Sequence, residues 1–471
     1  MSRWRSPATR RGSAAVLALT AIVAACGHGL ETPQLPTFDA FQISDPADVD
    51  AVVFLVGDAG ATSATASPIL VRLREDIERW SKALARDSAV SVIFLGDNVY
   101  PVGLHDRSSA DYPQDSARLA NQIALVTGPE AQAHRTAGWF VAGNHDWGNI
   151  AGEAGLHRLV NQSEALEHAR ERGANVILLP PAGVPGPVIR DVRDNVRIIF
   201  IDTHWMLTGP PFEQQTEFFD RIEDALRTAG ARDVIIACHH PWETSGPHGT
   251  VEGGRGFGLY YLLEKSGALV QDLNSPAYKS FIRRFRERVD EVERPPLIWA
   301  AGHDHSLQVF AGEFEDDPVH ILVSGAGSKL TPVSELKGLR YAAARPGYMM
   351  LVFRKDDTVN LFVVAGDPDH LECAEDDAAT LSECMDEGVA AFETVYSERL
   401  REPAVDVRPE AEDSATAAAR AAEDSAAAVA EDSATAADST AADSTAADST
   451  AADSTAADST AGKGGERGDL P

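Results

Sequence analysis

Positive charge is what this chain has least of. Its 72 Asp and Glu outnumber 41 Lys and Arg, giving a formal net charge of −31 over 471 residues. Neutralising a phosphate backbone takes a basic surface, so nucleic acid is excluded as the expected partner. An anionic substrate would need a local source of positive charge, and a bound metal ion is one. Long apolar runs are also missing. The opening run, about Ala14 to Ala25, falls short of the roughly 20 residues that span a bilayer comfortably. Cysteine is scarce, with 4 in all. Apolar content is an ordinary 44%, so most of the chain should fold, and its length suits a large core with extensions.

Arg3, Arg5, Arg10 and Arg11 precede the opening run, and Val23-Ala24-Ala25-Cys26 ends it. A positive segment followed by a short apolar stretch reads as an export signal. Its ending resembles a bacterial lipoprotein signal, in which the cysteine is lipidated and becomes N-terminal after cleavage. An ordinary signal peptide with an incidental cysteine is the alternative. Residues 1–25 are thus expected as signal and 26–48 as tether. The expected location is the cell envelope, periplasmic or outer surface, with Cys26 as lipid anchor in a bacterial membrane. In an exported protein Cys373 and Cys384 could pair across a short loop. Cys238 would remain a free, buried thiol at a strand end.

From Ala51, short apolar runs alternate with amphipathic stretches at 69–86, 114–126, 151–171, 214–228 and 277–292. That alternation argues for an α/β fold with strands buried between layers. The last runs, "YMMLVF" and "VNLFVV", have no helix between them and read as antiparallel neighbours. A two-sheet core with helices outside accommodates both parts. Residues 49–366 are the expected catalytic domain and 367–403 a small helical extension. Beyond it the composition collapses to Ala, Asp, Glu, Ser and Thr, with "AADST" five times from Ala436 to Thr460. Such a segment has almost nothing to bury, so 404–471 reads as disordered.

Metal-binding residue types recur where apolar runs end: Asp58 in "VGDAG", Asp97 and Tyr100 in "LGDNVYP", Asn144 and His145 in "AGNHDW", His239 in "ACHHPW", and His303 and His305 in "AGHDHSLQ". Ligands in open α/β sheets collect at the carboxyl ends of strands. A lone Gly-Asp is usually a turn and a lone His usually structural. Five such motifs in order are hard to ascribe to turns. Carboxylates, an amide oxygen, imidazoles and a phenolate could hold two ions about 3.5–4 Å apart, with one carboxylate bridging.

This set resembles the metallophosphoesterase superfamily, and within it the purple acid phosphatases. The family motifs GDxG, GDxxY, GNH(D/E), a histidine after a hydrophobic strand, and GHxH occur in order over roughly 51–330. Gly60 stands where many members have a histidine, and Tyr100 supplies a phenolate instead. "GDNVYPVGLHD", "GHDHSLQ" and "VSGAG" further resemble the small, mammalian-type branch. The resemblance implies a four-layer αββα sandwich of two mixed sheets flanked by helices. It implies Fe(III) at Asp58, Tyr100 and His305, a bridging Asp97, and a divalent ion (Fe, Zn or Mn) at Asn144, His239 and His303. It also implies hydrolysis of a small phosphate monoester by a metal-bound hydroxide. His145 would then lie beside the phosphate, and His248 would help to protonate the leaving group, unless it is an exposed loop histidine.

His240 is the intervening position, a substrate-mouth or structural residue. His105 either faces substrate or is a solvated loop residue. Cys238 is expected in the core rather than at the metals. Segment 246–274 does not match the mammalian-type pattern, so specificity is the weakest carry-over. A phosphodiesterase or nucleotide-directed hydrolase could use the same ligands. A non-catalytic surface lipoprotein is the remaining reading, and no ligand is missing to favour it. No protein partner is expected.

Overall fold

The computed structural model describes residues 45–61, 67–150, 152–249, 273–371, 373 and 378–402, all within one compact unit. The expected signal, the Cys26 anchor, the tether up to residue 44, residues 250–272 and the 404–471 tail lie outside the described residues. Among the described residues no helix is long and apolar enough to cross a membrane.

The chain lays down part of one sheet, builds all of a second, then returns to complete the first. β1 (Val49–Val56), α1 (Pro68–Ala83), β2 (Ala89–Phe94), α2 (Tyr112–Ile123), α3 (Pro129–His134), β3 (Ala137–Phe140), α4 (Glu153–Glu171) and β4 (Val176–Leu178) come first. The second sheet follows, with β5 (Val188–Val192), β6 (Val196–Phe200), α5 (Thr203–Leu207), α6 (Phe212–Arg227), β7 (Asp233–Ala237), α7 (Pro276–Val292), β8 (Ile298–Ala301), β9 (Leu307–Ala311), β10 (His320–Ser324) and β11 (Leu339–Ala343). Then come β12 (Gly347–Arg354), β13 (Val359–Ala365), α8 (Ala378–Ala390) and β14 (Glu393–Arg401). Each sheet has seven strands, in the orders β14-β13-β12-β1-β2-β3-β4 and β11-β9-β10-β8-β7-β6-β5.

Strand periodicity makes the layers. Alternate side chains leave opposite faces of a strand. From β1, Val52, Phe54 and Val56 pack with Leu73, Ile77 and Trp80 of α1 and Leu159 of α4. Its intervening Ala51, Val53 and Leu55 meet Ile198, Ile235 and Ala300 of the second sheet. The far face of that sheet, with Ile199, Ile236 and Trp299, packs on Phe218 and Phe219 of α6 and Phe281 and Phe285 of α7. Helix, sheet, sheet, helix is the αββα sandwich expected from the sequence. Each strand buried on two sides has no polar alternation, as its near-continuous apolar run requires. The helix starts are locally encoded as well. At α7, Pro276 fills the first position and Ser275 Oγ accepts the Tyr278 N–H at 3.2 Å.

Both sheets are mixed. β1–β4 run parallel, whereas β12, β13 and β14 add antiparallel to one side, including the expected pairing of β12 with β13. In the second sheet β6, β7, β8 and β10 are parallel. The parallel strands therefore send several carboxyl ends to one edge.

The 367–403 segment differs from its expected helical character. It holds α8, but ends in β14, a nine-residue edge strand of the first sheet. Val395 and Leu400 of β14 enter the inter-sheet core. Polar residues separate them, so the sequence shows no apolar run. Cys373 and Cys384 form the disulfide considered above, and Cys238 is free and buried.

Candidate metal centre

Every metal ligand named from the sequence arrives at the same edge, just beyond a strand. Asp58 follows β1, Asp97 and Tyr100 follow β2, and Asn144 follows β3. His239 follows β7, and His303 and His305 follow β8. The loops are pinned across the two sheets, where Gly57 N–H donates to Ser324 O at 2.7 Å and His303 N–H donates to Asp58 Oδ2 at 2.8 Å, and within the second sheet, where Gly302 N–H donates to His239 O at 3.0 Å.

Three of these residues, Asp58, Asp97 and His303, have positive φ of 58°, 55° and 72°. Left-handed backbone at a non-glycine residue costs of order 1–3 kcal/mol and persists only where surroundings enforce it. Glycine is required at two neighbouring positions by close approach. A Cβ on Gly143 would fall 2.2 Å from Asp97 Oδ1. A Cβ on Gly60 would fall 2.2 Å from the Asn98 carbonyl carbon. The backbone at position 60 therefore leaves no room for any side chain.

The side chains form two clusters that share Asp97. In the first, Tyr100 Oη lies 2.9 Å from Asp58 Oδ1, 2.8 Å from Asp97 Oδ2 and 3.1 Å from His305 Nε2. In the second, Asn144 Oδ1 lies 2.9 Å from His239 Nε2 and 3.1 Å from His303 Nδ1. His239 Nε2 is 3.4 Å from Asp97 Oδ1. Asp58, Asp97 and His239 are fully buried and can offer ligand atoms within 4.8 Å of one another.

The donor chemistry fits cations. His239 Nδ1 bonds to Leu95 O at 2.9 Å, and a carbonyl only accepts, so the ring hydrogen sits on Nδ1. When neutral, His239 turns the Nε2 lone pair inward. Asn144 Nδ2 donates to Asn149 Oδ1 at 2.6 Å, which turns its carbonyl oxygen inward too. An amide oxygen, an imidazole nitrogen and a carboxylate oxygen face one another, and a proton or a cation at His239 Nε2 is what satisfies them. In the other cluster one phenolic proton serves two carboxylates and an imidazole. Lone pairs crowded in this way call for positive charge.

The electrostatics agree. Burial raises the Tyr100 phenol well above its ordinary value, and Asp58 and Asp97 add to the rise. Only a cation among these oxygens would reverse that. Burial opposes ionisation of Asp97, yet His239, His145 and the hydrogen bonds it accepts hold it below the ordinary range. Burial pulls His239 down, but Asp97, Asp58 and the bond to Leu95 leave it raised. His303 is pushed well below the ordinary value by burial and then by His248, His240 and His239, which keeps it a neutral donor.

The two expected catalytic histidines border the clusters. His145 Nδ1 lies 2.6 Å from Pro101 O, and its Nε2 is 3.9 Å from Asp97 Oδ2. The His248 ring centre is 4.2 Å from that of His303. The remaining residues sort into structural positions. His240 is fully buried, with Nδ1 2.7 Å from Thr203 Oγ1, so it is not at the mouth. His105 is paired with Asp115 at 2.6 Å, which favours neither a solvated nor a substrate-facing role. Cys238 donates to His240 O in the core.

Sequence reading gives no role to three residues that the fold brings here. Asp146, fully buried, accepts from Asn98 N–H (2.9 Å), Val99 N–H (3.1 Å), Gly143 N–H (2.8 Å) and Asn98 Nδ2 (3.0 Å). It ties the Asp97 loop to the Asn144 loop, and its place in the GNHD motif is the only signal of it. Asp202 accepts from Trp147 Nε1 at 2.9 Å behind the Asn144 loop. Lys329 lies against Tyr100, where burial lowers its ammonium against the attraction of Asp97 and Asp58. A single lysine in a Gly-rich loop carries no sequence signal. A cavity of about 450 Å³ opens nearby, lined by Trp242, Glu243, Tyr278, Arg286, Phe314 and Asp317 among others, but by none of the seven donors.

No protein-family model and no curated protein matches the chain. Solved structures do. GAP50, the anchor in the inner membrane complex of Plasmodium, is 13% identical, covers 76% of this chain and 90% of its own, and has a TM-score of 0.48. PhoD is 12% identical over 69% of this chain and 67% of its own, with a TM-score of 0.43. Purple acid phosphatase PPD1 from yellow lupin (Lupinus luteus) seeds is 14% identical over 68% of this chain and 52% of its own, with a TM-score of 0.41. All three scores lie below one half, so these likenesses carry no conclusion about activity.

Proposed function

We propose that this chain hydrolyses small phosphate esters, monoesters in preference to diesters, at a centre of two metal ions. The observation behind the reading is the surplus of facing lone pairs, in two clusters joined by Asp97. Two ions bound there would supply positive charge to a phosphate and acidify water. Following the family resemblance, Asp58, Tyr100 and His305 would hold Fe(III). Asn144, His239 and His303 would hold Fe(II), Zn or Mn, and Asp97 would serve both.

The chain's other residues bind the ester and move protons. His145 spends Nδ1 on Pro101 O and keeps Nε2 for a phosphate oxygen or a proton. His248, beside His303, would protonate the leaving oxygen. Its loop is braced by Thr244, which donates to Asp304 Oδ2 at 2.6 Å, and by the His248 N–H, which bonds to Asp304.

Initial rates on an aryl phosphate monoester and its diester analogue, with and without a chelator, test the reading. Chelator-sensitive turnover favouring the monoester is expected. Diester preference would move the assignment to a phosphodiesterase, and no turnover of either would favour the non-catalytic surface lipoprotein.

Export and lipid anchoring through Cys26 belong to the same proposal. The Cys373–Cys384 disulfide supports an oxidising compartment. Cys26→Ser should release the protein from membranes, and continued membrane binding would refute the anchor.

A further inference from the structure

The loop after β10 carries a cation to the edge of an anionic cluster. Residues 325–332, "GAGSKLTP", are stitched down on two flanks. On one, Gly327 N–H donates to Gly57 O at 3.1 Å, Ser328 Oγ donates to Asp58 O, and Ala61 N–H donates to Ser328 Oγ at 3.1 Å. On the other, Thr331 N–H donates to His305 O at 2.8 Å. Lys329 stands between a residue fixed to Asp58 and a residue fixed to His305.

Its Nζ lies 3.4 Å from the centre of the Tyr100 ring. The same ring meets His145, the expected neighbour of the phosphate, at 4.3 Å between centres. Lys329 is partly buried and forms no ion pair among the described residues. Contact with an aromatic face uses the charge of an ammonium but leaves its N–H groups unspent. Asp97 and Asp58 attract the ammonium, but among the described residues no carboxylate pairs with it directly, so its N–H groups remain available for an external anion. A monoester dianion presents three non-bridging oxygens and two negative charges, whereas a diester presents two oxygens and one charge.

We infer that Lys329 docks the substrate phosphate, its ammonium donating to a non-bridging oxygen, and that this contact selects monoesters over diesters. The inference rests on the phosphoesterase reading and names the residue that sets its specificity.

The test compares wild-type, Lys329→Met and Lys329→Arg holoenzymes. Methionine keeps an apolar stem over the ring, and arginine keeps the charge. Inorganic phosphate binding is measured by calorimetry, metal content by elemental analysis, and kcat/KM on an aryl monoester and the matching diester. Lys329→Met is expected to weaken inorganic phosphate about 10- to 100-fold, as loss of a charged hydrogen bond would. Monoester kcat/KM falls by a similar factor, diester kcat/KM falls several-fold less, metal content holds, and Lys329→Arg recovers most of the loss. Equal losses on both esters, loss of metal, or unchanged phosphate binding would each overturn the assignment. If wild type turns over neither ester, the phosphoesterase reading fails alone, and the phosphate titration still decides whether Lys329 docks an anion. Wild type that binds no phosphate overturns both.

Discussion

The two sheets contribute different elements to one centre. Strand ends of the first sheet supply only oxygen, from Asp58, Asp97, Tyr100 and Asn144. Those of the second supply only nitrogen, from His239, His303 and His305. Neither sheet holds all seven candidate donors, so they converge only when the sheets are stacked. The contacts that align them are the same ones that orient the donors. His239, on the second sheet, is fixed by Leu95 O of the first, and Asp58 is fixed by the His303 N–H. Metal affinity should therefore report on sheet docking, and damage confined to one sheet should disable both clusters.

Breaking the tie between the clusters should have the largest effect. Asp97→Asn is expected to leave less than one ion per chain and to lower monoester turnover by about 10³-fold, some 4 kcal/mol of transition-state stabilisation. The metal-free variant should melt near the metal-free wild type, since the amide relieves part of the crowding of lone pairs. Elemental analysis and thermal melting separate metal loss from misfolding. Asn144→Ala removes the one first-sheet donor that contacts both His239 and His303. It should lose the divalent ion and about 10²-fold or more in rate, and undiminished activity would refute its role.

A weaker perturbation acts on the first sheet alone. Asp146→Ala orphans the N–H groups of Asn98, Val99 and Gly143. It should cost about 2–4 kcal/mol in urea unfolding and loosen both ions together. If the His239–His303 cluster kept its ion at full affinity, the coupling of the two sheets would be wrong.

The smallest effect lies behind the second sheet. Burial, and then Glu313 and Asp317, push the Glu243 carboxyl up to about 7. Its folded value is above the unfolded one, so its contribution favours folding at low pH and is lost as pH rises from about 4.5 through 7. Glu243→Gln should remove that loss. Relative to wild type it should gain about 1 kcal/mol between pH 4.5 and 7.5, after allowing for solvent screening. Parallel urea titrations at the two pH values check the sign.

What was legible in the sequence follows from the same division. The donors follow strands buried on two faces, so an unbroken apolar run marks each loop, with a glycine before Asp58, Asp97, Asn144 and His303. That punctuation drew attention to the loops carrying the candidate donors, and the buried layers followed from the same runs. The amphipathic helices were legible too, with α1, α2, α4, α6 and α7 all near their expected limits. β14 was not legible, because an edge strand exposed on one side carries "ETVYSERLR" with no apolar run. Short β4, β5, β9 and β11 carry no long apolar run either. Asp146, Asp202 and Lys329 were unreadable for a different reason. Their partners lie on other loops, and no local spacing encodes such contacts. His240 and His105 likewise have partners, Thr203 and Asp115, that could be named only from the fold.

The most direct test is the metal content of purified wild-type protein, measured together with its visible spectrum. Two ions per chain, one of them iron, with a tyrosinate-to-iron absorption band that disappears in Tyr100→Phe, is the expected result. Active protein holding at most one ion per chain would contradict the shared centre. A colourless, iron-free protein holding two ions would contradict the assignment of Tyr100 to Fe(III) while leaving the pair of sites in place.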